Sequence, residues 1–530
     1  MIDKKEPDLK AEENRSTDIS KHKRDGKNLL PPFRQLPMSP SSWKDDRMPE
    51  MLWAVLLIGN LERNEALDIF RKVADLVHKK PELLDVTHSG IAKWSRENRL
   101  HLINLLKESH SRAQKILRSL VIFPALPGYI EWKEILGEPE DEGEIADFLA
   151  KGVSATLWHQ SQEATDCRWI KFLCEIHGGK IKFSSSIDEI DETLRGVFEY
   201  PNYGDLRHVR PFIRASEIGM QIRNEGEQND WPEKFWKACL QSTLCAPLPR
   251  KEQRKDAIRI SHDQIHRIRH LLLLHFMKTD ESSAIEARHD TIFGFGFYVL
   301  RLLDELVATN LSRGMIGRLA LRSSVEAYIT LSFLIKKKEE QAWSDFRNYG
   351  IGKMKLSYLK NRDLKDKPSF IDEAFLKEIT NEDKWEEFSD IDLGHWTDSD
   401  LRKMSDEAGC KDIYDAYYDW TSSFTHGNWG AIREANFAMC ANPLHRLHLI
   451  PSVSVYPLPG VLEDVVKLTN LILELINSQY PDLNCKIVNE PKPEKMPWWK
   501  VIYSKIRYRK MYKFLNFITG QDKSGGSRSR

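Results

Sequence analysis

No stretch of this sequence stays apolar long enough to cross a bilayer. MLWAVLLIGNL at 51–61 is about half of the roughly 20 residues a spanning helix needs, and Arg301 divides TIFGFGFYVLRLLDELVA. The first residues, MIDKKEPDLKAEENRSTDISKHKRD, carry acidic side chains throughout and no apolar core. That pattern excludes a secretory signal and makes the cytoplasm the expected location. Cysteine is sparse: seven residues (167, 174, 239, 245, 410, 440, 485), odd in number, with no C-x-x-C pair. The expectation is reduced thiols, no disulfide framework and no zinc–cysteine site. A Walker loop, a serine-hydrolase elbow, a zincin motif and a Rossmann glycine fingerprint are all missing, which removes the commonest enzyme classes and points to no particular cofactor. Neither sign of charge is in excess. The 79 Lys and Arg balance 79 Asp and Glu, so attraction to nucleic acid or to an anionic membrane has to be local.

What the sequence does contain is helical periodicity and enough chain for more than one core. Its 530 residues, 41% hydrophobic and 30% charged with 15 Trp, suit two or three globular domains. Residues 1–48 are polar and broken by Pro31, Pro32, Pro37 and Pro40, the composition of a disordered arm. From Met51 the spacing becomes helical, with Leu67, Phe70, Ala74 and Val77 three or four residues apart; Pro81, Pro124 and Pro127 interrupt it. KIKFSSS (180–186) reads as a short strand or extended loop, and the helical pattern resumes at SIDEIDETL. The proline pair and charge run of CAPLPRKEQRK (245–255) mark a domain boundary. The expected fold is mostly α: multi-helix bundles in two domains, 49–245 and 251–480, behind the arm and ahead of a basic tail at 481–530. Gly294 and Gly296 lie in an apolar helix and are expected to be close-packing points.

In the second domain, RSSVEAYITLSFLIKK and HWTDSDLRKMSDEAGCKDIYDAYYDWTSSFTHGNW pair an Arg-x-x-x-Glu helix with a Tyr-rich helix ending in Ser-x-x-His. Over residues 285–450 this resembles a bacterial family known only as domain of unknown function 5677. The resemblance implies a helical fold and draws attention to Arg322, Glu326 and His426 without assigning a reaction.

Three polar constellations could carry chemistry. Arg322 and Glu326 are the only charges in LALRSSVEAYITLSFLI (319–335) and stand one turn apart, as a register-fixing ion pair or an anion-holding arginine beside a carboxylate. On DIYDAYYDWTSSFTHG (412–427), Ile413, Tyr417, Trp420 and Phe424 form the apolar stripe. Asp415, Asp419, Ser422, Ser423 and His426 share a neighbouring arc, and Asp415, Asp419 and His426 are candidate ligands for a divalent cation. The alternative there is a cationic His426 suiting the helix C-terminus beside solvated aspartates.

The third group is His262, His266 and Arg269 on one helical face, with His270 beside it and His275 among apolar neighbours. Arg269 and His275 resemble the Arg-x4–6-His motif of HEPN-type ribonucleases, helical proteins that act as toxins or antiviral effectors. Arg96 with His101 and Arg259 with His266 have equivalent spacing. The catalytic expectation is a partly buried cleft shared by Arg322, Glu326 and His426, with His262, His266, Arg269 and His275 as the alternative centre. Residues 486–530 hold 12 Lys and Arg against three Asp and Glu. WWKVIYSKIRYRKMYKFLNF within them is an amphipathic helix that could bind phosphate backbones or an anionic surface, or dock on the protein itself. Two functions follow: a nucleic-acid-processing, ribonuclease-like effector in phage defence, or a non-enzymatic interaction or sensor protein binding a protein or RNA partner.

Overall fold

The computed structural model describes residues 18–32, 41–180, 188–219, 230–248, 257–279, 286–362, 364–382, 385–452 and 457–491. The chain is mostly α-helical. It divides into two compact units, residues 1–250 with 438–451, and residues 251–437 with 452–530. The stretch 438–451 therefore returns to the first unit, which differs from the expectation of one continuous domain over 251–480. The strand expected at 180–186 and the amphipathic helix at 498–517 fall largely or wholly outside the described residues. No helix among the described residues is long and apolar enough to cross a membrane.

In the first unit the principal helices are α1 (Leu52–Asn60), α2 (Arg63–Lys79), α3 (Glu142–Leu157), α4 (Gln162–His177), α5 (Leu206–Gly219) and α6 (Trp231–Ser242). The stripe read on α2 is the buried one: Leu67, Phe70, Ala74 and Val77 all lie in the core. Helices α1 and α3 cross where both lack side chains; a Cβ on Gly59 would lie 2.4 Å from the Gly152 Cα, so neither position admits alanine without moving a backbone. The expected disordered arm ends short of 48. Trp43 and Arg47 are buried, the Trp43 indole donates to the Thr156 carbonyl at 2.7 Å, and the Trp236 indole donates to that of Lys44 at 2.9 Å. Aromatic burial with a satisfied N–H offsets the entropy of ordering that segment. Before it, β1 (Lys23–Asp25) and β2 (Asn28–Leu30) form an antiparallel hairpin.

A charge cluster lies inside this unit. The fully buried Glu217 on α5 accepts from Lys171 Nζ at 2.9 Å and from Arg47, and Arg168 approaches it at 3.8 Å. Burial would raise the Glu217 carboxyl, but Lys171, Arg47 and Arg168 outweigh it and hold it below the ordinary carboxylate value. Arg168 has its guanidinium 4.4 Å from the Trp43 ring; burial, with Arg47 adding repulsion, brings it down to about 9.

The second unit is built on α7 (His262–Thr279), α8 (Ala287–Thr309), α9 (Met315–Lys337), α10 (Glu340–Arg362), α11 (Leu401–Ala408), α12 (Lys411–Thr425) and α13 (Leu462–Gln479). Helix α9 is the central one, packing against α11, α12 and α13. Gly296 is a close-packing point, since a Cβ there would meet Ile476 at 2.8 Å and Leu272 at 3.3 Å. Gly294 is not: none of the described residues comes within 4 Å of its added Cβ. The stretch after α13, expected to begin a tail at 481, is packed as far as Ile487. Cys485 and Ile487 are buried, and the Asn470 side chain bonds both main-chain groups of Ile487 at 2.8 and 3.0 Å. The 438–451 stretch that rejoins the first unit carries most of a small sheet, in which β3 (Phe437–Met439) pairs with β4 (Leu449–Pro451).

Candidate functional site

Position i, i+4 on α9 brings Arg322 and Glu326 together as their spacing predicts, with Nη2 2.6 Å from Oε1. The partners differ in exposure: Arg322 is buried, whereas the Glu326 side chain is 47% exposed. Helix α12 supplies the cover. The Tyr418 ring lies 3.5 Å from the Arg322 guanidinium and stacks on Tyr414 at 4.4 Å. One turn earlier on α9, the fully buried Arg318 donates to the carbonyls of Ser312, Gly314 and Pro459 and faces Trp420 and Phe424 at 5.4 and 5.6 Å. Sequence reasoning missed Arg318 and Tyr418. Arg318 sits four residues before Arg322 on the same face, which was the signal available.

His426 does not join this pair. It caps the C-terminus of α12, is exposed, and makes no hydrogen bond or ion pair with Arg322 or Glu326. Tyr418 takes the place over Arg322, and eight further residues carry His426 about 12 Å along the helix axis. The candidate metal set Asp415, Asp419 and His426 is likewise not assembled. Asp415 is taken by Lys411 at 2.5 Å, and the donors close enough to share one ion among the described residues are elsewhere. A shared azimuth does not suffice, because 415 and 426 are separated by roughly 16 Å of helical rise. On the predicted stripe Ile413 and Phe424 are buried, Tyr417 is half-buried with its hydroxyl on Asp464 at 2.8 Å, and Trp420 is 43% exposed.

The α7 face does assemble, around a residue the sequence reading passed over. Asp304 of α8 accepts from His262 Nδ1, and its other carboxylate oxygen lies 3.7 Å from His266 Nε2 and 4.0 Å from Arg269 Nη1. The spacing i, i+4, i+7 places all three on one side of α7, and the two imidazole centroids are 4.2 Å apart. The carboxylate is the enclosed member, with 14% of its side chain exposed against 55% and 53% for His262 and His266. An aspartate within the apolar run VLRLLDELVA was the sequence signal for it. His275 turns away to Phe293 and Tyr480, with ring centroids at 6.3 and 5.8 Å. Six residues rotate it about 120° from Arg269, so the Arg269–His275 motif pair points from different faces. His262, His266 and Asp304 carry donor atoms within 4.8 Å of one another, a spacing that could also hold a metal ion.

The first unit contains a second donor group that corrects the expectation of scattered cysteines without a metal-ligand set. Cys245, Cys440, His445 and His448 bring one ligand atom each within the same 4.8 Å. A search for C-x-x-C pairs sees only neighbours in sequence, and these two cysteines lie roughly two hundred residues apart.

No curated protein and no solved structure matches the chain. Residues 317–439, from the first turn of α9 through β3, match the model of a family of unknown function (DUF5677), which is what this part of the chain is similar to.

Proposed function

We propose that the protein is a cytoplasmic RNA-processing effector whose second unit cleaves phosphodiester bonds at the His262–His266–Arg269–Asp304 cluster. The observation that carries this is the meeting of two exposed imidazoles and a guanidinium on one enclosed carboxylate. With its Nδ1–H given to Asp304, His262 keeps the Nε2 lone pair as a base, and the carboxylate steadies the imidazolium that forms when it takes a proton. In the proposed reaction His262 removes the proton of a ribose 2′-hydroxyl, whose oxygen attacks the adjacent phosphorus. The bond to the 5′ oxygen breaks, and a protonated His266 delivers the proton that oxygen needs, leaving a 2′,3′-cyclic phosphate. Arg269 offsets the charge on the non-bridging oxygens. The locally basic 486–530 segment supports attraction to a phosphate backbone in a chain that is neutral overall. Phage defence is the cellular setting that suits such an activity.

The test is cleavage of a labelled RNA by the purified chain in the presence of a chelator. Alanine at His262 or His266 should lower the rate on the order of 10²–10⁴-fold with the fold intact. An Arg269→Ala or His266→Ala chain that cleaves at the full rate would end the assignment. Activity lost in chelator and restored by a divalent cation would assign the same residues to a metal instead. The interaction-protein reading is favoured by a different observation: Leu271, Leu274 and Met277 of α7 are 48%, 52% and 68% exposed. RNA or protein binding that survives loss of both imidazoles would support it.

A further inference from the structure

Two segments of the first unit, 243–248 and 439–448, lie side by side. The Leu248 amide donates to the Met439 carbonyl at 2.7 Å, the Ala441 amide to that of Ala246 at 2.6 Å, and the Cys440 amide to that of His448 at 2.9 Å. Asn442 fixes the turn between the last two groups. Its Oδ1 accepts from the Leu444 amide, and its Nδ2 donates to the Leu244 carbonyl and to Thr243 Oγ1, all at 3.0 Å. Arg446 and Leu447 then both adopt left-handed backbone, with φ of 54° and 55°. Side chains other than glycine resist that conformation, and two in succession persist only where the surroundings impose them. The result is that His445 and His448 face the sulfurs of Cys245 and Cys440.

The distances between these atoms have a specific meaning. Around one tetrahedral zinc ion, sulfur at about 2.3 Å and nitrogen at about 2.05 Å stand roughly 3.5 Å from each other. Cys245 Sγ lies 3.5 Å from His445 Nδ1 and 3.4 Å from His448 Nε2, and Cys440 Sγ lies 3.5 Å from His445 Nδ1. Thiol hydrogen bonds explain this poorly, because the single lone pair of His445 Nδ1 would have to serve two thiols at once. A second layer fixes which nitrogen carries that lone pair. The Thr243 hydroxyl donates to the Cys239 carbonyl at 2.8 Å, so its oxygen accepts the Nε2–H of His445 at 2.9 Å. Nδ1 is then free to ligate, the arrangement by which outer partners orient a metal-bound imidazole.

We propose that Cys245, Cys440, His445 and His448 form a structural zinc site. Two thiolates and two imidazoles fill a tetrahedron and leave no position for substrate, which is the ligand set of a closed structural centre. Cys440 and His445 are buried and Cys245 is exposed, so the ion has an inner wall and an accessible side. The ion would tie the chain where it leaves the first unit to the segment that returns to it. That segment also buries Leu444 in the core and places Arg446 Nη1 2.8 Å from Asp45.

The test is the zinc content of the full-length chain, purified without chelator and equilibrated with a zinc salt, by elemental mass spectrometry. One equivalent per chain is expected. Cys245→Ser with His448→Ala, two changes at the more accessible side, should lose that equivalent while keeping the helical circular dichroism of the parent. His262→Ala with His266→Ala should keep it. Cobalt in place of zinc should give the visible absorption of a tetrahedral thiolate complex, abolished in Cys440→Ser. A folded parent chain that takes up no zinc, or unchanged zinc in the Cys245/His448 variant, would overturn the site, as would loss of zinc from the His262/His266 variant.

Discussion

In the first unit a carboxylate with no solvent exposure, Glu217, meets the buried Arg47, Lys171 and Arg168; in the second, Asp304 meets His262, His266 and Arg269, whose side chains are 55%, 53% and 33% exposed. Charges removed from water interact strongly, and removing one partner leaves the others without compensation. Charges at the surface are screened and bind one another weakly, so they remain available to a ligand. The difference separates groups that hold a fold from groups that can act on something else. It also explains why an ion pair identified by spacing, Arg322 with Glu326, is a weaker functional candidate than the His262 cluster: its guanidinium is buried under Tyr418, whereas His262 and His266 are more than half exposed.

The largest effect that would break this comparison is at Glu217. Glu217→Ala should cost about 3–5 kcal/mol of stability, read from chemical denaturation, because three buried cations lose their counter-ion. A loss below about 1 kcal/mol would show that the cluster does not hold the unit together.

Next comes acid stability. His88 is fully buried against Trp132 and Trp231, neither ring nitrogen has a hydrogen-bond partner among the described residues, and burial brings it down to about 3. The unfolded chain takes up this proton below about pH 6.5, whereas the folded one resists until near pH 3. Stability from the neutral ring is therefore complete above pH 6.5 and lost as the pH falls through that window, at about 1.4 kcal/mol per pH unit. His88→Phe should flatten the pH dependence of the melting temperature between pH 6 and about 4. An unchanged slope would mean that another group carries it.

A smaller contrast sharpens the picture within the second unit. Glu326→Gln should lower stability by less than about 1 kcal/mol, since its carboxylate is half exposed. Arg322→Ala should cost more, about 1–3 kcal/mol, because the stem and guanidinium under Tyr418 leave a gap. Equal losses in thermal melts would return the pair to an ordinary surface bridge. The last is deletion of 496–530, which should leave most of the helical circular dichroism intact while flattening the salt dependence of RNA affinity. A salt series with the same slope in both proteins would remove that segment as an electrostatic contact.

Much of the fold was legible because its cause is local. The stripe of α2 and the helical character of α9 and α12 follow from 3.6-residue periodicity, which depends on neighbours within a few turns. The candidate sites were legible only in part, for the same reason. Spacing placed Arg322 beside Glu326, and His262, His266 and Arg269 on one face, since each group lies within two turns of one helix. It could not show that Asp304 comes from the next helix to meet the histidines, or that Tyr418 rather than His426 covers Arg322. The arm was read as extending to 48 because its composition is polar on average, and that average hid Trp43, a single anchor with a long-range carbonyl partner.

By itself, then, the sequence determined the helical class, the shortness of its apolar runs and the region matching the family of unknown function. Only the tertiary structure decided which polar groups meet. Cys245 with Cys440, His262 with Asp304 and Glu217 with Arg47 are brought together by packing between segments far apart in the chain. No periodicity records such a meeting, because the residues that must agree on it never share a helical turn.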